Sequence, residues 1–209
     1  QWKTVALSSP LDNYTTCSSQ SDPSKPPVLC LFSPSDSCQL TVDTNTVNRE
    51  LKLSDNNRKV TNVQEDQSYP DHPDRFEYWP QLLCTTGLTG RCNWEVEWRG
   101  VVHISVSYRG IRRKGDSDDC VFGSNDQSWS LICSDDAYSV WHNKRQTSIS
   151  FSSVSHRVSV YVDVPAGTLS FYRVSSDSLI HLHTFNTTFT QPLYPGFGFF
   201  SVGSSVFLY

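Results

Sequence analysis

The sequence predicts an all-β fold, an antiparallel sandwich of two sheets. Three observations carry that prediction. Runs such as "GRCNWEVEW" (90–98) alternate strictly: Cys92, Trp94, Val96 and Trp98 share one face, and Asn93, Glu95 and Glu97 share the other. That is the period of a strand with one dry side and one wet side. Such runs follow one another closely, separated by clusters of Gly, Asp, Asn and Ser. No long stretch shows the 3.6-residue period of an amphipathic helix.

In chain order, residues 1–37 are rich in Ser, Pro, Asp and Thr, with "SDPSKPP" at 21–27. They read as a linker or extended arm, with a short strand at Val28–Phe32. The folded domain is expected to run from residue 38 to 209. One or two short helices are expected, the first at Asn45–Leu53 and the second at Asp74–Trp79. Further on, Val102, Ile104, Val106 and Tyr108 alternate with His103, Ser105 and Ser107. Trp129, Leu131 and Cys133 share a face in "SWSLICS", as do Val158, Val160, Val162 and Val164 in "HRVSVYVDV". "PAG" at 165–167 is a turn, and the chain returns as a strand over Thr168–Val174. "LIHLHTF", "YPGFGFF" and "SVFLY" supply the remaining strands.

Composition narrows the function classes. In 209 residues, 37% apolar and 12% aromatic content suffices for a sizeable core. A net charge of −4 argues against a nucleic-acid binder driven by phosphate neutralisation. The basic cluster Arg112-Arg113-Lys114 is followed at once by Asp116, Asp118 and Asp119, as in a solvated loop. No apolar run approaches the ~18 residues of a membrane span. A chain that opens at Gln1 and holds no methionine reads as a fragment or processed product. The seven cysteines form no CxxC pair and no zinc spacing, and Cys92 and Cys133 occupy apolar strand positions. The expectation is free, reduced thiols in a cytoplasmic protein. The sequons at Asn13-Tyr14-Thr15 and Asn186-Thr187-Thr188 are short enough to arise by chance.

Several ordered motifs resemble a known family. "CQLTVDTNTVNRELKLSDNNRKVT" (38–61) resembles the PRY segment, and "GRCNWEVEW", "WSLICS", "VDVPAGTLSFY" (162–172) and "FTQPLYPGFGFF" (189–200) resemble the SPRY segment. The set is most like the fish-type PRY-SPRY domain that closes tripartite-motif (TRIM) proteins, and is similar to domains of NLR receptors and stonefish-type toxins. PRY is expected over about 38–80 and SPRY over about 81–209. One departure stands out: Val42-Asp43-Thr44 replaces the usual Leu-Asp-Pro, so a rigid proline turn is lost.

The resemblance implies a bent sandwich that binds a viral or host protein through variable loops. It further implies a parent ubiquitin ligase of innate immunity whose catalysis sits in a separate RING domain and which assembles through a coiled coil. Alternatives are the C-terminal domain of a secreted pore-forming toxin subunit, or a sensor of a small phosphorylated ligand. The last requires converging cations, and the strand position able to carry an arginine is Gly198 here.

No catalytic motif appears: no GxSxG elbow, HExxH or P-loop. "GFGFFS" (196–201) lacks a βαβ context and reads as core strand. His181 and His183, two apart, share a strand face, but no third ligand is near in sequence. Asp118-Asp119 and Asp135-Asp136 read as turn formers. No cofactor, metal or nucleic acid is expected. Binding is expected where aromatics sit among polar residues. Three segments qualify: Glu65–Gln81 with Tyr69, Phe76, Tyr78 and Trp79; Ser134–Gln146 with Asp135, Tyr138, Trp141 and Asn143; and Phe199–Ser205 with Phe200.

Overall fold

The structure, a computed structural model, describes residues 33–150, 153–175 and 178–209, and by backbone alone two short strands that precede them. These are β1 (Thr15–Thr16) and β2 (Leu29–Cys30), paired antiparallel; β2 falls within the strand expected at 28–32, whose other residues lie outside the described ones. There follow β3 (Leu51–Ser54), β4 (Lys59–Asn62), β5 (Gln81–Leu83), β6 (Arg91–Arg99), β7 (Val102–Tyr108), β8 (Ser128–Ser134) and β9 (Ala137–His142). The remaining strands are β10 (Arg145–Ile149), β11 (Arg157–Asp163), β12 (Thr168–Ser175), β13 (Ser178–Asn186), β14 (Leu193–Phe199) and β15 (Ser205–Leu208).

They form a six-stranded sheet, β10-β9-β8-β7-β14-β5, and a seven-stranded sheet, β13-β12-β11-β6-β15-β4-β3. The named strand pairs of both sheets are antiparallel. The all-β two-sheet sandwich is therefore the fold. Its core lies between the sheets. From one side come Trp94, Val96, Trp98, Val158, Val160, Val162, Phe171 and Val206; from the other come Val102, Ile104, Val106, Trp129, Leu131, Tyr138, Phe197 and Phe199. β6 keeps the alternation of its sequence, with Trp94 and Trp98 buried and Glu95 and Glu97 outside.

Neither expected helix forms; the described helical elements are the single 3-10 turns Pro34–Asp36 and Asp118–Cys120. Residues 45–53 make a turn that runs into β3, and 74–79 make turns and bends. Long-range bonds outcompete helix here. The Arg75 side chain, 5% exposed, donates to the carbonyls of Thr44 and Val47, which a helix would need for itself. Asn48 donates to the carbonyls of Phe76 and Glu77, nearly thirty residues on. The turn that lacks its proline is held by Asp43 instead, whose carboxylate accepts from Asn45 N and whose carbonyl accepts from Thr46 N.

Two further expectations need correction. Ser37 pairs beside Asn93 of β6, and Cys38, next in line, is disulfide-bonded to Cys92, with their Cα atoms 5.6 Å apart. The thiols are thus not all free; Cys84, Cys120 and Cys133 are, and all three are buried. His181 and His183 do not share a face. A bulge opposite Phe171 and Tyr172 sets His183 beside Phe171 and His181 beside Tyr172, on opposite sides of the strand.

The outer face of the six-stranded sheet is not wet either. On β7, His103, Ser105 and Ser107 are all under 5% exposed: the segment 109–127 lies across Ser105 and Ser107, and the Phe200 ring lies against His103. Small hydroxyls make that close approach possible, and Ser105 and Ser130 bond each other beneath the cover at 2.8 Å. Gly196 serves the same end: a Cβ there would stand 2.7 Å from the Phe122 ring. Gln81 pins the segment, donating to Cys120 O and accepting from Phe122 N. Phe76, Leu83, Ile111 and Phe122 form a second, smaller core under it. Its charged tip, 114–119, is exposed, as a solvated loop should be.

Candidate functional site

The covering segment leaves part of the outer face free, and aromatic side chains from four places converge there. Trp141 comes from β9, His103 from β7, Phe200 from the end of β14, and Tyr78 with Trp79 from the approach to β5. Successive ring centroids lie 5.2 Å apart for Tyr78–Trp79, 6.0 Å for Trp79–Phe200, 4.2 Å for Phe200–His103 and 6.0 Å for His103–Trp141. The result is a continuous aromatic strip across the sheet. Tyr78 is 59% exposed, while Trp79, Phe200 and Trp141 are half-buried.

Each ring has a local reason for its place. Trp79 is steadied by its indole N–H, which donates to Ser117 O. Trp141 lies where Gly123 lets the covering segment press close: a Cβ on Gly123 would stand 2.9 Å from Trp141 Cβ. Beyond Trp141, the chain reverses through Asn143 and Lys144, both at positive φ, in the tight hairpin that joins β9 to β10. Gln146 pairs with Trp141 across that hairpin and donates to Ser139 Oγ. Lys144 and Asp119 form a rim ion pair at 3.7 Å. Apolar rings within a polar, solvated rim are the anatomy of a protein-binding patch.

The remaining expected site residues lie elsewhere. Phe76 and Tyr138 are core, each 1% exposed, and neither can present its ring to a partner. Phe76 packs against Phe122, and Tyr138 packs against Trp98 while its hydroxyl donates to Ser155 O. Burial raises the Tyr138 phenol to about 12. Tyr69 is half-buried, donates to Leu51 O and lies under the Arg75 guanidinium. Asp135 sits in the β8–β9 turn and pairs with His156 at 3.2 Å. Residues 134–146 are strand and hairpin rather than a loop, which is why alternate side chains there, Tyr138 and Trp141 among them, face opposite ways.

Sequence reasoning missed His103. Its one signal was a ring at a position where Ser105 and Ser107 follow on the same face. Burial drives its imidazole down to about 3, against a hydrogen bond to the backbone of Phe122 that acts the other way. The ring is neutral at ordinary pH. No group of three or more metal-ligating side chains occurs among the described residues.

A β-sandwich that carries such a strip has the anatomy of a binding module. The chain matches the PRY family, described as SPRY-associated domain, over residues 40–88 and the SPRY domain over 91–209. It belongs to the PRY-SPRY family. It is 41% identical over 162 residues to stonustoxin subunit beta of Synanceia horrida, covering 77% of this chain and 23% of that protein. It is 36% identical over 163 residues to tripartite motif-containing protein 16 of Mus musculus, covering 77% of this chain and 29% of that one. A solved TRIM65 PSpry domain superposes with a TM-score of 0.76 at 28% identity, covering 84% of this chain and 91% of that one. The chain thus spans about a quarter of the length of the first two relatives. As an SPRY domain it is a protein-interaction domain, and no helix among its described residues is long and apolar enough to cross a membrane.

Proposed function

We propose that this domain recognises a partner protein through the strip Tyr78–Trp79–Phe200–His103–Trp141, as the target-choosing part of a tripartite-motif-type ubiquitin ligase in the cytoplasm, serving innate immunity. The carrying observation is the strip itself, rings that bury much area with few rotors to freeze. Catalysis and oligomerisation then belong to other parts of a longer protein. The likeness to tripartite motif-containing protein 16 supports this reading.

A second reading, a subunit of a secreted pore-forming toxin, is favoured by the Cys38–Cys92 disulfide, which suits an oxidising compartment, and by the likeness to stonustoxin. A sensor of small phosphorylated ligands has less support, because Gly198 lies under the Phe200 ring where that chemistry needs converging cations.

The test pairs a pull-down on the wild type and Trp141→Ala with calorimetry on the partner recovered. Trp141→Ala is expected to weaken binding at least about tenfold while keeping its melting transition. Arg157→Ala, on the outer face of the other sheet and ion-paired to Glu95, is the control and should bind as wild type does. Full affinity in Trp141→Ala removes the strip from consideration. The mass of the peptides holding Asn13 and Asn186 separates the two parent proteins, since glycan on either means the secretory route.

A further inference from the structure

The strip has a polar atom hidden in its middle. His103 Nδ1 is buried and has no hydrogen-bond partner among the described residues. The Phe122 backbone, which acts on the imidazole as an acceptor, favours the proton on the other ring nitrogen and so leaves Nδ1 as a bare lone pair. A buried acceptor left unmade is costly, and native structures rarely keep one without a use. What covers it is Phe200, whose ring centroid is 4.2 Å away. Phe200 lies tilted by 35° against that ring, in space that glycine at 198 leaves open: a Cβ on Gly198 would stand 2.9 Å from Phe200 Cε2. Phe200 is itself half-buried and follows the last residue of β14, so its ring is the movable part and His103, mid-sheet on β7, the fixed one.

We propose that the strip takes an extended segment of a partner protein whose inserted side chain carries a neutral N–H or O–H donor, displacing the Phe200 ring and donating to His103 Nδ1. The proposal rests on the strip being the binding surface and goes on to say what it selects. Asn, Gln, Ser and Thr fit the chemistry. A carboxylate has no proton to give and meets a lone pair. A lysine or arginine loses its water among rings with no anion beside His103 to repay the loss. Apolar residues flanking the donor would lie on Trp79 and Trp141.

The experiment uses peptides selected from a random phage-displayed library on the whole chain, keeping those whose binding falls with Trp141→Ala. They are expected to share one donor residue between apolar neighbours. Adding such a peptide to protein labelled with 15N at histidine should move the pyridine-type Nδ1 signal of His103 toward the hydrogen-bonded position. Replacing the peptide's donor by an apolar isostere, Thr→Val or Asn→Leu, should weaken binding about tenfold to the wild type and less than twofold to His103→Phe. Equal losses in both overturn the role of His103 while the strip stands. If no selected peptide depends on Trp141, the strip falls and this inference with it. Gly198→Ala, which keeps His103, gives a reading without any peptide: it should push the Phe200 ring aside and let water reach Nδ1, shifting the same signal. An unmoved signal, with Phe200 seen displaced from its own ring-proton shifts, overturns its part as the cover.

Discussion

At the scale of single residues, His103 ties stability to acid. Its folded-state value of about 3 lies below the ordinary 6.5, so the folded protein holds fewer protons than the unfolded chain between those values. Stability from this group is complete above pH 6.5 and is lost as pH falls toward 3. At pH 4.5 the loss is roughly 2–3 kcal/mol. His103→Phe, which carries no proton to take up, is expected to flatten this part of the curve. Urea midpoints at pH 7 and 4.5 for both proteins measure it, and an identical fall in the two would remove His103 as the cause. The same residue shows the limit of reading alternation alone. "VHISVSY" was legible as a strand with Val102, Ile104 and Val106 inward, and so it is. That its other face is dry was not legible, because the segment covering it is fastened by Gln81, some forty residues before the atoms it bonds.

At the scale of elements, the covering segment and the β9–β10 hairpin must be built together. Gly123 is at φ +85° and abuts both Trp141 and Ser130. Gly123→Ala therefore faces a strained backbone and a backbone contact that cannot yield cheaply. The expected cost is roughly 1–3 kcal/mol, with Trp141 fluorescence altered in the folded state. Gly110→Ala, where a Cβ meets nothing, is the control for the same segment. A Gly123→Ala protein as stable as the control would show that the segment rides loosely on the sheet. The strip's aromatics were partly legible: Tyr78, Trp79, Trp141 and Phe200 stood out as rings among polar neighbours. Their union was not, since it follows from the order β9-β8-β7-β14-β5, which long-range pairing decides. Tyr138 and Phe76 misled for the same reason. In a strand the face, not the composition of the neighbourhood, decides exposure, and in the turns before β5 one ring turns in while the next two turn out.

At the scale of the whole molecule, the Cys38–Cys92 bond closes a loop with a sequence separation of 54 and so restrains much of the PRY part in the unfolded chain. By loop-closure entropy the bond is worth up to roughly 4 kcal/mol. A reductant is expected to lower the melting temperature of the wild type and to leave Cys38→Ser unchanged. Peptide mapping after maleimide labelling in denaturant, without reductant, should find Cys84, Cys120 and Cys133 modified and Cys38 and Cys92 protected. Labelling of all five would return the molecule to free thiols and weaken the toxin reading.

The placement of that bond also decides how the domain would bear a pull. Residue 37 lies beside Asn93 and Leu208 beside Val96, so the chain comes in and goes out along the same strand, β6. With the bond closed, tension between the two ends passes from Cys38 straight into Cys92, along a few residues of β6 and out through β15. Residues 39–91, with the second core they help to build, hang outside the path of the force. Opening the bond puts that whole stretch in series with the load. Full extension under optical tweezers should then lengthen by roughly 180 Å in reductant, and in the oxidised protein the part of the chain carrying Tyr78 and Trp79 feels a tug on the arm last.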